Sequence, residues 1–335
     1  MKTFKTFVGI DISKLTVDVS VFHQHTTDQI HHFKAPNHLS GIKQLLKTLK
    51  QQKINLNETL FCCENTGIYT VPLITILGAA SLHFWVVSAI EIKRSQGIAR
   101  GKNDQTDSKR IAFYAFTHLH KYEPSSLPQT EILQLKLLFT EREKVLKAIA
   151  LFERTKENEG FIDNSIFKLV KKINDRQIKQ LRKTLRELEA KMQGLIESDV
   201  TLQTQFQLLK SIPGIGPQTA LYLIITTKSF QGFKTWRQMA CYAGVAPFEY
   251  SSGTSIRGKT KVNSLADKKM KSMLQMCVLT AIKIDPEIKK YYQNKKQQGK
   301  ASMLVMNNIR CKLLSRAFAV INRGTPFVSQ QTIAA

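Results

Sequence analysis

Ser251 and Ser252 stand side by side before Gly253, and the surrounding stretch, Gly244 to Lys271, sets Arg257, Lys259, Lys261, Lys268, Lys269 and Lys271 against one acid, Asp267. Cations around a hydroxyl neutralise a phosphodiester and the charge that builds as it is attacked, so this stretch suits a serine nucleophile acting on phosphate. On local sequence alone, a Ser-Ser-Gly loop beside a solvated lysine face is the more economical account. The second group with chemical potential is acidic. Asp11 closes one apolar run and Glu64 another, while Asp104 and Asp107 are spaced i,i+3 at the start of a helical segment, so that both face the same way. Four carboxylates in one cleft repel and raise one another's pKa. Divalent Mg²⁺ (or Mn²⁺) removes that objection, because a hard cation prefers carboxylate oxygen and keeps waters for substrate phosphates. Taken singly, Asp11 also reads as a turn residue, Glu64 and Asp104 as helix caps, and Asp107 as a first-turn acid. As a set at strand ends and helix starts, they favour a metal site.

The elements that must position these groups are legible in order. Residues 5–12 and 15–22 read as β runs joined by a tight turn, and 28–34 as a third strand. A helix follows over 39–50, with Leu39, Ile42, Leu45, Leu46 and Leu49 on one stripe. LFCCE (60–64) is a short apolar strand, a second helix runs through 79, and HFWVVS (83–88) is the fifth strand. With the helix at Asp104, the order β-β-β-α-β-α-β-α is that of the ribonuclease H fold. Asp18, mid-strand, reads as a surface residue; His23, His25, His31 and His32 show no ligand spacing and read as surface or strand-edge residues.

Fifty Lys and Arg against twenty-five Asp and Glu leave a formal charge of +25, spread along the chain. That favours a polyanionic partner, DNA or RNA, whose counterions are released on binding. A membrane partner is excluded by pattern, since no apolar run approaches the roughly 20 residues of a spanning helix. The N-terminus turns polar and acidic too soon for a signal peptide. Cys62, Cys63, Cys241, Cys277 and Cys311 are odd in number without metal-ligand spacing, which fits a reducing cytoplasm and small core residues.

From about 130 to 197 apolar residues recur at alternating three and four: Leu135, Leu138, Val145, Ile149 and Phe152, with Arg142 in the series, then Ile178, Leu181, Leu185, Leu188, Met192 and Leu195. These are coiled-coil seams, able to close as an antiparallel hairpin or to pair with another chain. Lys and Arg off the seam read as solvated. Next, LLKSIPGIGPQTALYLI (208–224) has the pattern of a helix-hairpin-helix, in which Gly214 and Gly216 let the backbone approach a phosphate without reading sequence; a tight turn that merely packs is the competing account. Further helices are expected over 230–242, 268–283, 287–297 and 302–321, the last with Arg310, Lys312 and Arg316 outside. The end beyond Pro326 reads as frayed.

Five ordered motifs, GIDISK with Asp11, CENTGIY with Glu64, KNDQTDSKRIA with Asp104 and Asp107, SIPGIGPQTA, and YAGVAPFEYSSG, resemble those of the IS110 family of insertion-sequence transposases, relatives of the Piv-type DNA invertases. The resemblance runs nearly end to end. It implies a RuvC-like DEDD catalytic domain over 1–125, a coiled-coil dimerisation segment over 130–200, and an all-α C-terminal serine domain with a helix-hairpin-helix over 201–328. The tetrad maps onto Asp11, Glu64, Asp104 and Asp107, and the nucleophile onto Ser252. Kinship implies a composite site in which the acidic cleft with Mg²⁺ meets the serine, which becomes covalently joined to DNA. The resemblance further implies element ends and target DNA as substrates, a structured guide RNA, a dimer or tetramer, and a nucleoid-associated place in bacterial or archaeal cytoplasm. Where the family often has Gly and Arg, this chain has Ala266 and Lys271; lysine keeps the charge without the bidentate fork. Three rivals stand beside a transposase with a phosphoserine intermediate: a hydrolytic junction-resolving nuclease, a site-specific invertase, and a non-enzymatic nucleic-acid-binding protein.

Overall fold

The computed structural model describes residues 3–24, 26–95, 103–127, 129–154, 160–161, 163–246, 248–252, 256–262 and 265–329, with backbone alone for 26–30, 248–252 and 256–261. The chain divides into two units, Met1–Leu127 and Pro128–Ala335. In the first, β1 (Thr6–Ile12), β2 (Thr16–His23) and β3 (Thr26–Pro36) form an antiparallel meander, and β4 (Thr59–Glu64) and β5 (His83–Val87) join β1 in parallel, giving the order β3-β2-β1-β4-β5. The β1–β2 turn is tied by Ser13, whose N–H donates to the Thr16 carbonyl at 2.9 Å and whose hydroxyl accepts from the Thr16 N–H at 3.1 Å.

Strand periodicity divides the sheet into two faces. Val8, Ile10, Val17, Val19, Val21, Phe61 and Cys63 form one core with the apolar stripes of α1 (Leu39–Gln51) and α2 (Val71–Ala79). Phe7, Phe22, Leu60, Cys62 and Trp85 form the other, with α3 (Ala89–Ser95) and α4 (Asp104–Thr117). The short α3 has no counterpart in the sequence expectation. Asp18 corrects a second point: it is 5% exposed, because His32 Nε2 lies 3.1 Å and Lys34 Nζ 3.5 Å from its carboxylate on the neighbouring strand.

The second unit is mostly helical. α5 (Thr130–Glu153) and α6 (Asn164–Glu197) fold back on each other within one chain. Their antiparallel sense is fixed by Arg142–Glu189 at 2.8 Å and Arg182–Glu153 at 3.0 Å. Ile149 and Ile178 are buried in the seam, and Leu135, Met192 and Ile196 carry it into the core. That core is completed by α7 (Val200–Lys210), α8 (Pro217–Thr227), α9 (Trp236–Tyr242), α10 (Lys268–Ile284), α11 (Pro286–Gln297) and α12 (Ser302–Arg323). Among the described residues no helix is long and apolar enough to cross a membrane.

Three expectations for this unit need correction. It is not all-α: β6 (Phe248–Ser252) and β7 (Ile256–Lys261) form an antiparallel hairpin. The helix expected from Phe230 begins only at Trp236, because Lys228, Ser229 and Phe230 all hold positive φ and break the path until Thr235 accepts from the Gln238 N–H as N-cap. Arg310 and Arg316 are not outside but 4% and 8% exposed. Arg316 donates to Asp285 at 2.6 Å and to Glu287 at 2.7 Å, Lys312 pairs with Glu287, and Arg310 bonds Asn307 at 3.0 Å and also Gln275.

Asp285 both caps α11, accepting from Glu287 and Ile288 N–H groups, and holds the Arg316 guanidinium. Removing one partner of such a buried pair strands the other charge. Arg316→Ala is expected to destabilise the unit by about 3–5 kcal/mol in urea unfolding; a cost below about 1 kcal/mol shows that the pair is solvated in practice.

Candidate active site

The acidic residues are gathered by strand parity and by one missing side chain. Asp11 ends β1, Glu64 ends β4, and the parallel register Gly9↔Cys62 continues to set these two next to each other at the carboxyl ends of adjacent strands. Open α/β sheets bind ligands beyond such ends. Asp18 lies opposite Asp11 in the antiparallel register. Asp11, Asp18 and Glu64 share the parity of Phe7, Phe22 and Cys62 and so stand on the face that α4 covers.

α4 reaches that face at Gly9. A Cβ there would lie 2.2 Å from the Ala112 nitrogen and 2.2 Å from the Ser108 carbonyl oxygen, so only glycine lets the helix lie this close to β1. Along the contact, Phe116 packs on Phe7 and Phe22 with ring centroids 5.3 and 5.0 Å apart. One step nearer the strand ends, the buried hydroxyls of Ser20 and Ser108 are bonded at 2.7 Å. The first turn of α4 then brings Asp104 and Asp107 to the strand-end acids. Asn103 caps that turn, its side chain accepting from the Thr106 N–H at 2.7 Å. Gly9, Ser20 and Ser108 are positioning residues that sequence reasoning missed; their signal was a glycine and a serine facing inward on otherwise apolar strands.

Burial, then Asp107, Glu64, Asp104 and Asp18 in that order, raise the Asp11 carboxyl to about 6. Glu64, Asp104 and Asp107 therefore all sit within electrostatic reach of Asp11. Arg110 tempers the crowding, bonding Asp107 at 2.9 Å. Among the described residues no three His, Cys, Asp or Glu side chains converge closely enough to hold an ion as they stand. The donor set is nonetheless all carboxylate and short of positive charge, which suits a hard divalent cation.

The other candidates lie in the second unit. Ser252 is the last residue of β6, paired with Ile256 at the turn end of the hairpin, and Ser251 pairs with Arg257. Lys259 and Lys261 lie on β7, while Gly253 falls outside the described residues. Lys268 is exposed at the start of α10, Lys271 is half-buried, and Lys269 pairs with Glu143 of α5. Asp267 is committed as the α10 N-cap, accepting from the Met270 N–H at 2.9 Å and from the Tyr222 hydroxyl at 2.8 Å. Gly214 and Gly216 differ. A Cβ on Gly214, at φ +97°, would lie 2.7 Å from the Cys277 carbonyl, so its close approach is to α10; Gly216 faces open space as the N-cap of α8.

Because its folded pKa lies above the ordinary 3.8, ionised Asp11 costs the fold stability. The favourable state is fully present below about pH 4 and is lost as pH rises through about 6. In chelator, Asp11→Asn is therefore expected to raise the melting temperature, by an increment that grows between about pH 4 and pH 7 and then levels. An increment independent of pH removes the crowding account.

Residues 8–157, which contain all four acids and α4, match a DEDD transposase model of the IS110 group. Residues 206–293, from α7 through the serine hairpin into α11, match the Transposase IS116/IS110/IS902 family. The chain is 28% identical over 335 residues to the pilin gene-inverting protein of Moraxella bovis, covering 96% of this chain and 98% of that one. The pilin gene-inverting protein of Moraxella lacunata aligns to the same extent. An uncharacterized 43.6 kDa protein of insertion element IS110 from Streptomyces coelicolor is 30% identical over 145 residues, 43% of this chain and 35% of that one. With both family matches falling on the segments that carry the candidate residues, the chain belongs to the IS110 family of insertion-sequence transposases, enzymes of DNA recombination.

Proposed function

We propose that the protein cuts and rejoins DNA through a covalent 5′-phosphoserine at Ser252, with Asp11, Glu64, Asp104 and Asp107 holding Mg²⁺ or Mn²⁺. The observation that carries the metal half is the gathering of Glu64 from β4 and of Asp104 and Asp107 from α4 around Asp11, which with burial and Asp18 pushes its carboxyl up to about 6. The β3-β2-β1-β4-β5 order, antiparallel then parallel, supports a ribonuclease H-like (RuvC-like) reading of residues 1–125. The α5–α6 hairpin supports a coiled-coil segment over 130–200, and α7 and α8 around Gly214 and Gly216 support a helix-hairpin-helix within a serine domain over 201–328. Gly216 and the N-terminus of α8 suit phosphate, and Ser251, Arg257, Lys259, Lys261, Lys268, Lys269 and Lys271 suit the flanking backbone.

In the chemical step the Ser252 Oγ loses its proton and attacks phosphorus; the Oγ–P bond forms, the P–O3′ bond breaks, and the departing O3′ takes a proton. A bound divalent ion would supply electrostatic stabilisation of the charge on the transferring phosphoryl group. Asp11, Glu64, Asp104 and Asp107 would hold that ion, and a general base takes the serine proton. One phosphodiester is exchanged for another at each stage, so strands are rejoined without an external energy source. A guide RNA, element-end and target DNA, a dimer or tetramer, and a nucleoid-associated place in the cytoplasm rest on kinship and on the +25 charge.

Incubation with labelled element-end DNA, Mg²⁺ and the candidate RNA is expected to give a protease-sensitive covalent adduct. Ser252→Ala abolishes it. Asp11→Ala abolishes it too, with nucleic-acid affinity unchanged or higher. Free 5′-phosphate ends without an adduct replace this reading with a hydrolytic nuclease.

A second reading, site-specific inversion, is favoured by the full-length alignment to pilin gene-inverting proteins. A plasmid carrying two candidate sites head to head separates the two: an inverted segment between intact sites marks an invertase, and insertion elsewhere marks a transposase.

A further inference from the structure

The helical hairpin carries its charge on one arm. α6 has nine Lys and Arg against four acids, whereas α5 has four against four. Ile178, Leu181, Leu185 and Leu188 turn one side of α6 to the seam. Away from the seam Lys172, Arg176, Lys179, Lys183 and Arg186 recur at steps of four and three, and all five are exposed; Lys179 and Arg186 also border a cavity at the seam's edge with Ile178, Arg182 and Glu153. Asp175, three residues from Lys172 and four from Lys179, and Glu187, four from Lys183, flank the row, but among the described residues no ion pair engages any of the five, while the nearby Arg182 is held by Glu153 at 3.0 Å.

A solvated face needs no such segregation, and α5, in the same surroundings, shows none. The row also has a cost. Each neighbouring pair along it is a like-charge i,i+3 or i,i+4 pair, destabilising a helix by about 0.2–0.5 kcal/mol. Four such pairs work against the longest helix among the described residues, and Asp175 and Glu187 at its margins offset them in part; a polyanion along the row would neutralise all five charges.

We propose that the outer row of α6, Lys172 to Arg186, is a docking rail for the phosphate backbone of duplex DNA. The row is straight and spans about 21 Å at 1.5 Å per residue. About 21 Å of B-DNA axis carries about six phosphates on each strand, and a straight row faces the few of them that lie on its side of the duplex. Single strands are held by stacking bases on aromatic side chains, and this row has none. Lysines and arginines on a rail of this kind position the duplex and read no sequence. The assignment rests on the DNA-recombination reading, but not on Ser252 as nucleophile.

The test compares two triple variants of the full chain: Lys172, Lys179 and Lys183→Gln on α6, and Lys136, Lys144 and Lys147→Gln on α5. Both remove the same charge. Binding of a 30-base-pair duplex is followed by fluorescence anisotropy across a salt series. The α6 triple is expected to flatten the slope of log affinity against log salt by about 2–3 and the α5 triple by less than about 1, since each phosphate contact contributes about 0.9. Both triples should melt close to wild type, because all six side chains are at the surface and relieved repulsion is balanced by lost helix pairs. Ser252→Ala keeps the full slope, so loss of chemistry and loss of docking are read separately. Equal flattening by both triples, or no flattening by the α6 triple, overturns the rail. Flattening with an RNA hairpin but not with duplex DNA overturns DNA as its partner.

Discussion

Everything in the acidic site depends on how close one helix can come to one strand. Gly9 has no side chain, so the backbone of α4 at Ser108 and Ala112 lies where a Cβ would be. Because α4 rests on β1 there, its first turn reaches the strand ends, and carboxylates from three parts of the chain meet. The Ser20–Ser108 bond fixes the helix lengthwise, since a buried hydroxyl pair loses its partners if α4 slides. The aromatic contacts of Phe7, Phe22 and Phe116 at the other end then act as ballast. An apo fold that gathers like charges is held against their repulsion by this packing.

Much of this was legible because strand periodicity is a strong signal. The apolar runs of β1, β2 and β4, and the acids that end two of them, can be read from alternation and from where it stops. Asp18 was not legible: a charge in mid-strand reads as a solvent residue, and only the register across β2 and β3, which delivers His32 and Lys34, explains its burial. The same blindness affected Arg316, whose acidic partners lie about thirty residues away on another helix. The start of α9 depends on three consecutive left-handed residues, none of them glycine, which no propensity rule anticipates. The serine hairpin was hidden for a plainer reason: strands of Ser, Gly, Lys and Thr carry little alternation.

Both units are basic overall, but each places its charge differently. The first concentrates negative side chains where the sheet ends, and the second carries its cations on a hairpin, on the start of α10 and along α6. A nucleic acid is drawn to the second kind of surface and repelled by the first unless cations intervene. The hydrophobic seam of the α5–α6 hairpin, meanwhile, is satisfied within the chain over most of its length. Toward its tip Leu151, Phe161, Ile166 and Leu169 remain exposed, with nothing in the structure to say what covers them.

The tight β1–β2 turn has an evolutionary corollary. Asp18 stands opposite Asp11, on the face that α4 covers, because the Ser13–Thr16 closure sets the register of β2 on β1. With β1 held by β4 and α4, deleting one residue from that turn slips β2 and turns its side chains to the opposite face, sending Asp18 into the apolar core under α1 and α2. Lineages of this chain can therefore lengthen or shorten the loops between α1 and α4 with some freedom, but the first hairpin can change length only by steps that leave its pairing intact. Its tip is the part of the domain where gaps in a family comparison should be rarest.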